Sequence, residues 1–367
     1  MKKREYWLYL AGIKGLESGR RAILLNMFGN PEEIFKASES ALRNIPLLED
    51  YHIDQLMKKR NIDYEAEAER FDKQGIGFVT IEDKDFPEKL KDIPDAPAFL
   101  FYKGRIPKDT EPSVAVIGSR KCSYYGREMC VKFSKKLSEA GIIIVSGMAV
   151  GVDGFAHRGA LEVGGRTIAV LGCGVDICYP SMNRDIYEKA ALNDSCIVSE
   201  YYPGNPPLPY NFPQRNRIIS GLSDIVLVVE AGRKSGTFIT VDHALEQGKE
   251  IFAIPGRIGD VVSDGCNSLI KNGAHMATEP DDLIEELKGK YEMLIKAEKN
   301  RRRRKTAVLD GNEELIFNCL TYQPVQFNEI SEKTGIPCEQ LSVLLIGLEM
   351  KDLITEVDKN MYIKKAQ

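Results

Sequence analysis

The chain has 367 residues and a formal net charge of −4, with 43% hydrophobic and 28% charged residues. This composition excludes a disordered chain, and the length predicts two or three globular domains. The slight acidity excludes a general coat of basic residues, so any contact with nucleic acid has to be local.

The cysteines and the apolar segments indicate a cytoplasmic protein. The eight cysteines are irregularly spaced, contain no C-x-x-C pair and mostly lie within apolar runs. This pattern is typical of buried free thiols in a reducing compartment. The apolar run near the amino terminus breaks at Gly12, and no apolar segment is long enough to span a membrane. We therefore expect no metal site, no cofactor and no membrane contact.

Residues 1–75 are predicted to form a small helical domain of the helix-hairpin-helix or SAM-like kind. Short helical patterns alternate with Gly-containing turns, and "GIKGLESGRRAIL" (12–24) resembles one helix-hairpin-helix turn. Such a turn can offer backbone amides to a phosphate. A helical packing module without a ligand is an equally good interpretation of this block.

Residues 76–295 are predicted to form an α/β core with a Rossmann-like, mostly parallel sheet. Runs such as "SVAVIGS", "GIIIVSG", "RTIAVLG" and "DIVLVVEA" alternate with helical patterns. Continuous β-branched runs between helices are typical of a parallel sheet that is covered on both faces. Ligands of such folds bind outside the carboxyl ends of the strands.

Two further segments complete the predicted domain order. The charged stretch 296–307 contains four consecutive arginines and is interpreted as a solvated linker, with an auxiliary phosphate-binding arm as the alternative. Residues 308–367 contain three helical patterns and a terminal hairpin, which predicts a winged-helix domain. Its third helix carries Glu339 and Glu349 and few basic residues. This favours a protein-contact or structural role over the reading of DNA bases.

The strand-to-helix junctions of the core are the candidate binding elements. In "VAVIGSRKCSYYG" (114–126), Gly118 permits a sharp turn, and Ser119 and Arg120 follow it at the carboxyl edge of the sheet. Backbone amides and a guanidinium group at this position suit an anion. The chain has no G-x-G-x-x-G and no P-loop, so a dinucleotide cofactor is not expected.

The junction that follows the second core strand contains Asp153 and, one helical turn later, His157. This spacing fits a base and its orienting carboxylate, as catalysis requires. It fits equally a structural hydrogen bond at the start of a helix, which is the interpretation that we favour.

The segment "NFPQRNRIISG" (211–221) places an aromatic residue beside two arginines, after a stiff proline-rich stretch. Phe212 can stack on a base while Arg215 and Arg217 meet phosphates, the combination typical of single-strand binding. Alternatively, Phe212 is a core residue and one arginine forms an internal salt bridge. A further junction, "RKSGTFIT" (233–240), offers the start of a helix after Ser235 as another anion site.

The core resembles the DprA/Smf family, the DNA-processing proteins of bacteria. The segments that carry the resemblance are "IGSR" (117–120), "SGMAVGVDGFAHRGAL" (146–161), "LGCGVD" (171–176), "FPQRNRIISGLSD" (212–224), "VVEA" (228–231), "SGTFIT" (235–240), "IPG" (254–256) and "GCNSLIKNGA" (265–274). The resemblance implies a non-enzymatic protein that binds single-stranded DNA, protects it and helps to load the RecA recombinase during natural transformation. It also implies a homodimer formed through the Rossmann-like domain.

The candidate DNA-binding residues are those that match the family motifs or lie at the same edge. They are Gly118, Ser119, Arg120, Lys121, Asn183, Arg184, Phe212, Arg215, Asn216, Arg217, Ser235, Gly236 and Thr237. The chain departs from some family members at Pro209 and Ser181, where those members carry a basic residue. This departure predicts a lower affinity, or a shift of phosphate contacts toward Lys121 and Arg184.

Two alternatives use the same fold. A nucleotide phosphoribohydrolase of the lysine-decarboxylase-like group would need a "PGGxGTxxE" turn. Here the double glycine is missing, and Thr240 takes the place of the glutamate that acid–base catalysis requires. A nucleotide-sensing scaffold that binds a small phosphate ligand is the other alternative.

Overall fold

The computed structural model describes residues 1–192, 194–306, 310–321, 323–350 and 353–364, and of residues 296, 297 and 299–306 the backbone alone. The chain forms two compact units, residues 1–299 and 300–367. Residue 307, which ends the predicted linker, and the first residues of the predicted winged-helix domain, 308–309, lie outside the described residues. The finer domain boundaries at residues 75, 295 and 307 remain predictions.

The first unit begins with six short helices. They are α1 (Lys3–Ala11), α2 (Ser18–Phe28), α3 (Pro31–Lys36), α4 (Glu39–Arg43), α5 (Asp50–Lys58) and α6 (Tyr64–Lys73). Side-chain caps fix several of their starts: Asn30 accepts the amide of Glu33 at 3.0 Å, and Asp63 accepts that of Ala66 at 3.1 Å. The helices bury residues such as Trp7 and Leu24 in one apolar cluster with Phe99 and Phe101 of the sheet.

Nine strands form the sheet of this unit. They are β1 (Gly77–Thr80), β2 (Phe99–Gly104), β3 (Ser113–Ile117), β4 (Ile143–Ser146), β5 (Thr167–Val170), β6 (Cys196–Ser199), β7 (Ile225–Val228), β8 (Glu250–Ala253) and β9 (His275–Met276). Their order is β1-β2-β6-β5-β4-β3-β7-β8-β9. The two pairings of β2 are antiparallel and the remaining pairings are parallel, which confirms the predicted mostly parallel sheet.

Helices cover both faces of the sheet. They are α7 (Tyr124–Glu139), α8 (Val152–Glu162), α9 (Arg184–Ala190), α10 (Asn211–Gly221), α11 (Thr237–Glu246), α12 (Asp264–Lys271) and α13 (Pro280–Thr306). Alternate residues of a strand point to opposite faces. Along β3, Val114 and Val116 therefore pack with Phe133 of α7, whereas Ala115 packs with Ile218 of α10.

The strand order reverses next to β3. From β3 the chain proceeds through β4 and β5 to β6 on one side, and it then returns to place β7 on the other side of β3. A crevice forms at such a switch point because the connections on either side run to opposite faces of the sheet. The loops after β3 and β7, which carry Arg120 and Ser235, therefore border this crevice.

Helix α13 contains the charged stretch that was interpreted as a solvated linker. The backbone of residues 296–306 continues the helix in the structure. Lysine, arginine and glutamate are good helix formers, and this propensity offsets part of the repulsion between the neighbouring arginines.

Across the described residues, no helix is both long and apolar enough to cross a bilayer.

The second unit has the predicted winged-helix arrangement. Its elements are α14 (Gly311–Cys319), β10 (Val325–Gln326), α15 (Phe327–Thr334), α16 (Cys338–Met350), β11 (Ile354–Asp358) and β12 (Met361–Lys364). The three strands form one sheet in the order β10-β12-β11. Helix α16 buries Leu341, Leu345 and Leu348 and exposes Val343 and Ile346 on its other side.

Candidate nucleic-acid interface

Close backbone contacts bring the loops after β3 and β4 together at the carboxyl edge of the sheet. The amide of Val152 donates to the carbonyl of Ser119 at 3.2 Å. A Cβ atom at Gly151, whose φ is +81°, would lie 2.3 Å from that carbonyl, and one at Gly118 would lie 2.7 Å from Val152. The close approach excludes a side chain at both positions, and at Gly151 the left-handed φ disfavours one as well.

The loop after β3 is held by Glu230, a buried residue that follows β7. Its carboxylate accepts the amide and the hydroxyl of Ser123, each at 2.6 Å. Its backbone carbonyl accepts the amide of Ser119 at 2.7 Å. A carboxylate with two strong donors is well satisfied in a buried site. Glu230 therefore fixes the loop that presents Arg120.

The loop after β4 contains a strained residue that polar side chains hold in place. Met148 is fully buried and has a φ of +56°, which is unfavourable for a residue with a side chain. Asn183 donates to the carbonyls of Met148 and Ala149 at 2.8 and 3.1 Å. The amide of Met148 donates to Nε2 of His157 at 3.3 Å. These bonds satisfy the buried backbone of the loop.

His157 is a neutral residue of the scaffold. Thr167 donates its hydroxyl to the carbonyl of Ile144 at 2.7 Å, so its oxygen accepts Nδ1–H of His157 at 2.6 Å. Burial, reinforced by Arg215 and Arg158, lowers the pKa of His157 from 6.5 to about 3. His157 therefore has the structural role that we favoured, but its partners are Met148 in the loop and Thr167 of β5 instead of Asp153.

Arg215 is buried beneath the loop that follows β4 and forms hydrogen bonds with the backbone of that loop and of β5. Arg215 is 4% exposed, and its guanidinium group donates to the carbonyl of Gly147 at 2.9 Å and, through a short contact, to that of Val170. Asp153 lies beside it and accepts the amide of Ala149 at 3.4 Å. Burial raises the pKa of Asp153, although the Arg215 charge acts in the opposite direction.

Phe212 is partly buried and forms an aromatic surface at this edge. Its ring lies against the backbone of Gly172, where a Cβ atom would be 2.9 Å from the ring. The guanidinium carbons of Arg120 and Arg215 lie 6.0 and 5.8 Å from the ring centroid, at the outer limit of a cation–π contact. Arg120 is exposed, and among the described residues no carboxylate pairs with it.

Arg217 lies away from this surface, in a buried ionic cluster. It donates to Glu200 at 2.7 Å and to the carbonyl of Asp95 at 2.7 Å, and it is 3% exposed. Arg21 of α2 donates to the other oxygen of Glu200 at 3.1 Å. Burial opposes the ionisation of Arg217, but Glu200 and Asp95 raise its pKa. This cluster joins the helices of the amino-terminal block to α10.

The other candidate residues occupy varied positions. Lys121 and Arg184 are exposed, the latter 3.9 Å from Glu188. Asn216 accepts Nε of Arg215 at 3.3 Å. Ser235, Gly236 and Thr237 follow β7, where the Ser235 and Thr237 hydroxyls lie 2.8 Å apart, a distance typical of a hydrogen bond. The structure therefore brings Gly118, Ser119, Arg120 and Phe212 together, with Arg215 and Asn183 below them.

Sequence reasoning assigned no role to three residues that shape this edge. Tyr179 lies beside Phe212, Glu230 holds the loop after β3, and Glu200 neutralises Arg217. The two glutamates each follow an apolar strand closely, and a carboxylate at that point has to find donors. The sequence thus indicates that these two carboxylates need hydrogen-bond donors, but it does not indicate which residues donate.

The fold and the edge together define a class, the Rossmann-like α/β proteins that bind ligands at a topological switch point. The family model described as DNA recombination-mediator protein A matches residues 77–288, and the DprA winged-helix model matches residues 300–358. The chain belongs to the DprA/Smf family of DNA-processing proteins.

Relatives and solved structures support this assignment. The DNA processing protein DprA of Streptococcus pneumoniae is 46% identical over 213 residues, which cover 58% of this chain and 75% of the relative. Protein Smf of Escherichia coli is 38% identical over 274 residues, 74% of this chain and 73% of the relative. The X-ray structure of the S. pneumoniae protein matches with a TM-score of 0.67 and 38% identity, over 78% of this chain and 99% of that chain.

A second solved structure is that of DNA processing protein A from Helicobacter pylori, whose description concerns its single-stranded DNA binding mode. It matches with a TM-score of 0.52 and 31% identity, over 58% of this chain and 97% of that chain.

Proposed function

We propose that the protein binds single-stranded DNA at the carboxyl edge of its parallel sheet, with a base on Phe212 and a phosphate at Arg120. The observation that carries this proposal is the pairing of a partly exposed aromatic residue, Phe212, with the exposed guanidinium group of Arg120, which has no carboxylate partner among the described residues. An unpaired base offers a free face for stacking, and the backbone offers the charge, so a single strand uses both groups.

The proposed roles divide the candidate residues into two layers. Gly118, Ser119 and Arg120 form the upper layer, in which the guanidinium group of Arg120 faces the strand. Arg215 and Arg217 were expected to meet phosphates directly. Because both are buried and bonded to protein acceptors, we assign them to the lower layer, which keeps the loops and α10 in position.

The H. pylori protein supports this proposal, since its description names a single-stranded DNA binding mode. The match to that structure covers 58% of this chain. The contacts of individual residues with DNA remain predictions.

We also propose that the protein acts by binding and not by catalysis. The carboxylates of Asp153 and Glu230 at this edge are buried and hold backbone and serine donors. A phosphoribohydrolase needs a carboxylate that is free to exchange protons with its substrate. Release of free base from nucleoside monophosphates during incubation with the protein would contradict this part of the proposal.

The family resemblance suggests three finer proposals: protection of incoming strands during natural transformation, loading of RecA and formation of a homodimer through the Rossmann-like domain. Light scattering tests the dimer, with twice the chain mass of 41.1 kDa as the expected result. RecA-filament assembly on strands coated with single-strand-binding protein tests the loading, with faster assembly expected when the protein is present.

The decisive variant for the DNA proposal is Arg120→Ala. We expect the affinity for a labelled poly-dT strand, measured by fluorescence anisotropy, to fall by at least about tenfold, since a charge-assisted phosphate contact contributes about 1.5–3 kcal/mol. Lys132→Ala is the matched control, because it removes an exposed positive charge from the middle of α7. Equal affinities of the wild type and Arg120→Ala would show that the edge is not the binding site.

A further inference from the structure

Tyr179 is a large aromatic residue that lies exposed directly beside Phe212. Its centroid is 5.6 Å from that of Phe212, the ring planes are inclined by 35°, and Tyr179 is 45% exposed. Among the described residues, its hydroxyl group makes no hydrogen bond. Half the residue and a free donor therefore face solvent at the edge where the strand is proposed to bind.

The loop that carries Tyr179 is well fixed, so its exposure does not come from a loose segment. Upstream, the hydroxyl of Tyr187 donates to the carbonyl of Val175 at 2.6 Å, and Asp176 accepts the amide of Gly204 at 2.8 Å. Downstream, Asn183 bonds to the loop after β4. A ring held in this way loses little conformational entropy when a ligand covers it.

We propose that Tyr179 is a second stacking residue, which receives the base next to the one on Phe212. This inference rests on the proposed single-strand binding. Ring centroids of contacting aromatic pairs lie about 4.5–7 Å apart, so the two rings are already in contact and no base enters between them. They form one continuous aromatic surface, on which two successive unpaired bases lie side by side.

The arrangement also predicts the kind of nucleic acid that this surface accepts. In a duplex, each base is stacked between its neighbours and has no free face, whereas two consecutive bases of a single strand can both turn toward the rings. Stacking on aromatic side chains tolerates any base. Tyr179 therefore adds affinity for unpaired strands without adding sequence preference.

The test compares two strands and four variants. The strands are poly-dT and an abasic strand of the same length, which keeps the sugars and phosphates but has no bases. We expect Tyr179→Ala to bind poly-dT about tenfold more weakly than the wild type, since stacking one base contributes a factor of about 5–150 in affinity. It should bind the abasic strand as the wild type does. Tyr179→Phe should retain the affinity of the wild type for both strands.

Tyr51→Ala is the matched control, because Tyr51 is similarly exposed (49%) but belongs to α5 in the amino-terminal block. Unchanged binding of poly-dT by Tyr179→Ala would overturn the inference. Equal losses on both strands would overturn it as well, since Tyr179 would then support the shape of the pocket instead of stacking on a base. If Arg120→Ala also binds poly-dT normally, the proposed site itself is wrong. A loss with Arg120→Ala alone rejects only the role of Tyr179.

Discussion

At the scale of single residues, the proposed DNA-binding edge depends on polar side chains that are buried beneath its loops. His157, Asn183 and Arg215 satisfy the backbone of the loop that contains the strained Met148. The cost of a left-handed φ at a residue with a side chain is of the order of 1–3 kcal/mol, and such strain persists only where the surroundings fix it. These three residues are therefore positioning residues.

Stability should depend on pH through His157. Its pKa is 6.5 in the unfolded chain and about 3 in the folded protein, so the unfolded state alone takes up a proton between these values. The contribution of neutral His157 is fully present above pH 6.5 and is lost as the pH falls toward 3. From pH 7 to pH 5 the free energy of unfolding should decrease by about 2 kcal/mol through this group alone.

The measurement is urea unfolding of the wild type and His157→Gln at a series of pH values. The variant should be less stable at pH 7, and it should lose less stability between pH 7 and pH 5 than the wild type does. His275→Gln, at an exposed position of β9, is the control that keeps His157 and should keep the wild-type slope. Parallel pH profiles of the wild type and His157→Gln would contradict the assigned protonation state.

At the scale of elements, the cluster of Arg21, Glu200 and Arg217 connects α2 and α10 across the first unit. Replacing Glu200 removes the carboxylate that both arginines share, and the loss of one partner from a buried ion pair typically costs about 3–5 kcal/mol. Replacing Arg217 removes one of the two arginines that neutralise Glu200 and leaves it with Arg21. We therefore expect Glu200→Gln and Arg217→Ala to destabilise the first unit. Any loss of DNA binding should follow the loss of folded protein.

Denaturant unfolding measures this effect, and DNA titrations below the unfolding transition separate it from binding. Arg70→Ala is the control, because its ion pair with Glu67 lies on the surface of α6 and contributes little to stability. A fully stable Arg217→Ala variant with weak DNA binding would place Arg217 at the DNA, as the sequence first suggested.

Arg217 also shows which part of the site the sequence can predict. The strands of the core are predictable because their β-branched runs are local, and Gly118 and Arg120 are predictable because they follow such a run directly. The burial of Arg217 depends on Glu200, 17 residues away, and on Arg21, which lies 179 residues before Glu200. A basic residue beside an aromatic one has the same local pattern whether it meets a phosphate or a buried carboxylate.

At the scale of the whole molecule, the predicted winged-helix domain carries a net negative charge. Residues 308–367 contain ten acidic and five basic residues, a net charge of −5, and α16 contains neither lysine nor arginine. A helix that reads DNA in the major groove uses such residues to meet bases and phosphates. We therefore expect the DNA to contact the carboxyl edge of the sheet in the first unit.

The salt dependence of binding tests this account most directly. For single strands, the logarithm of the affinity falls against the logarithm of the salt concentration with a slope of about −0.7 for each phosphate neutralised. If Arg120 meets one phosphate, Arg120→Ala should bind poly-dT more weakly and with a slope about 0.7 less steep than that of the wild type. A slope identical to that of the wild type would contradict the claim that Arg120 at this edge holds the DNA backbone.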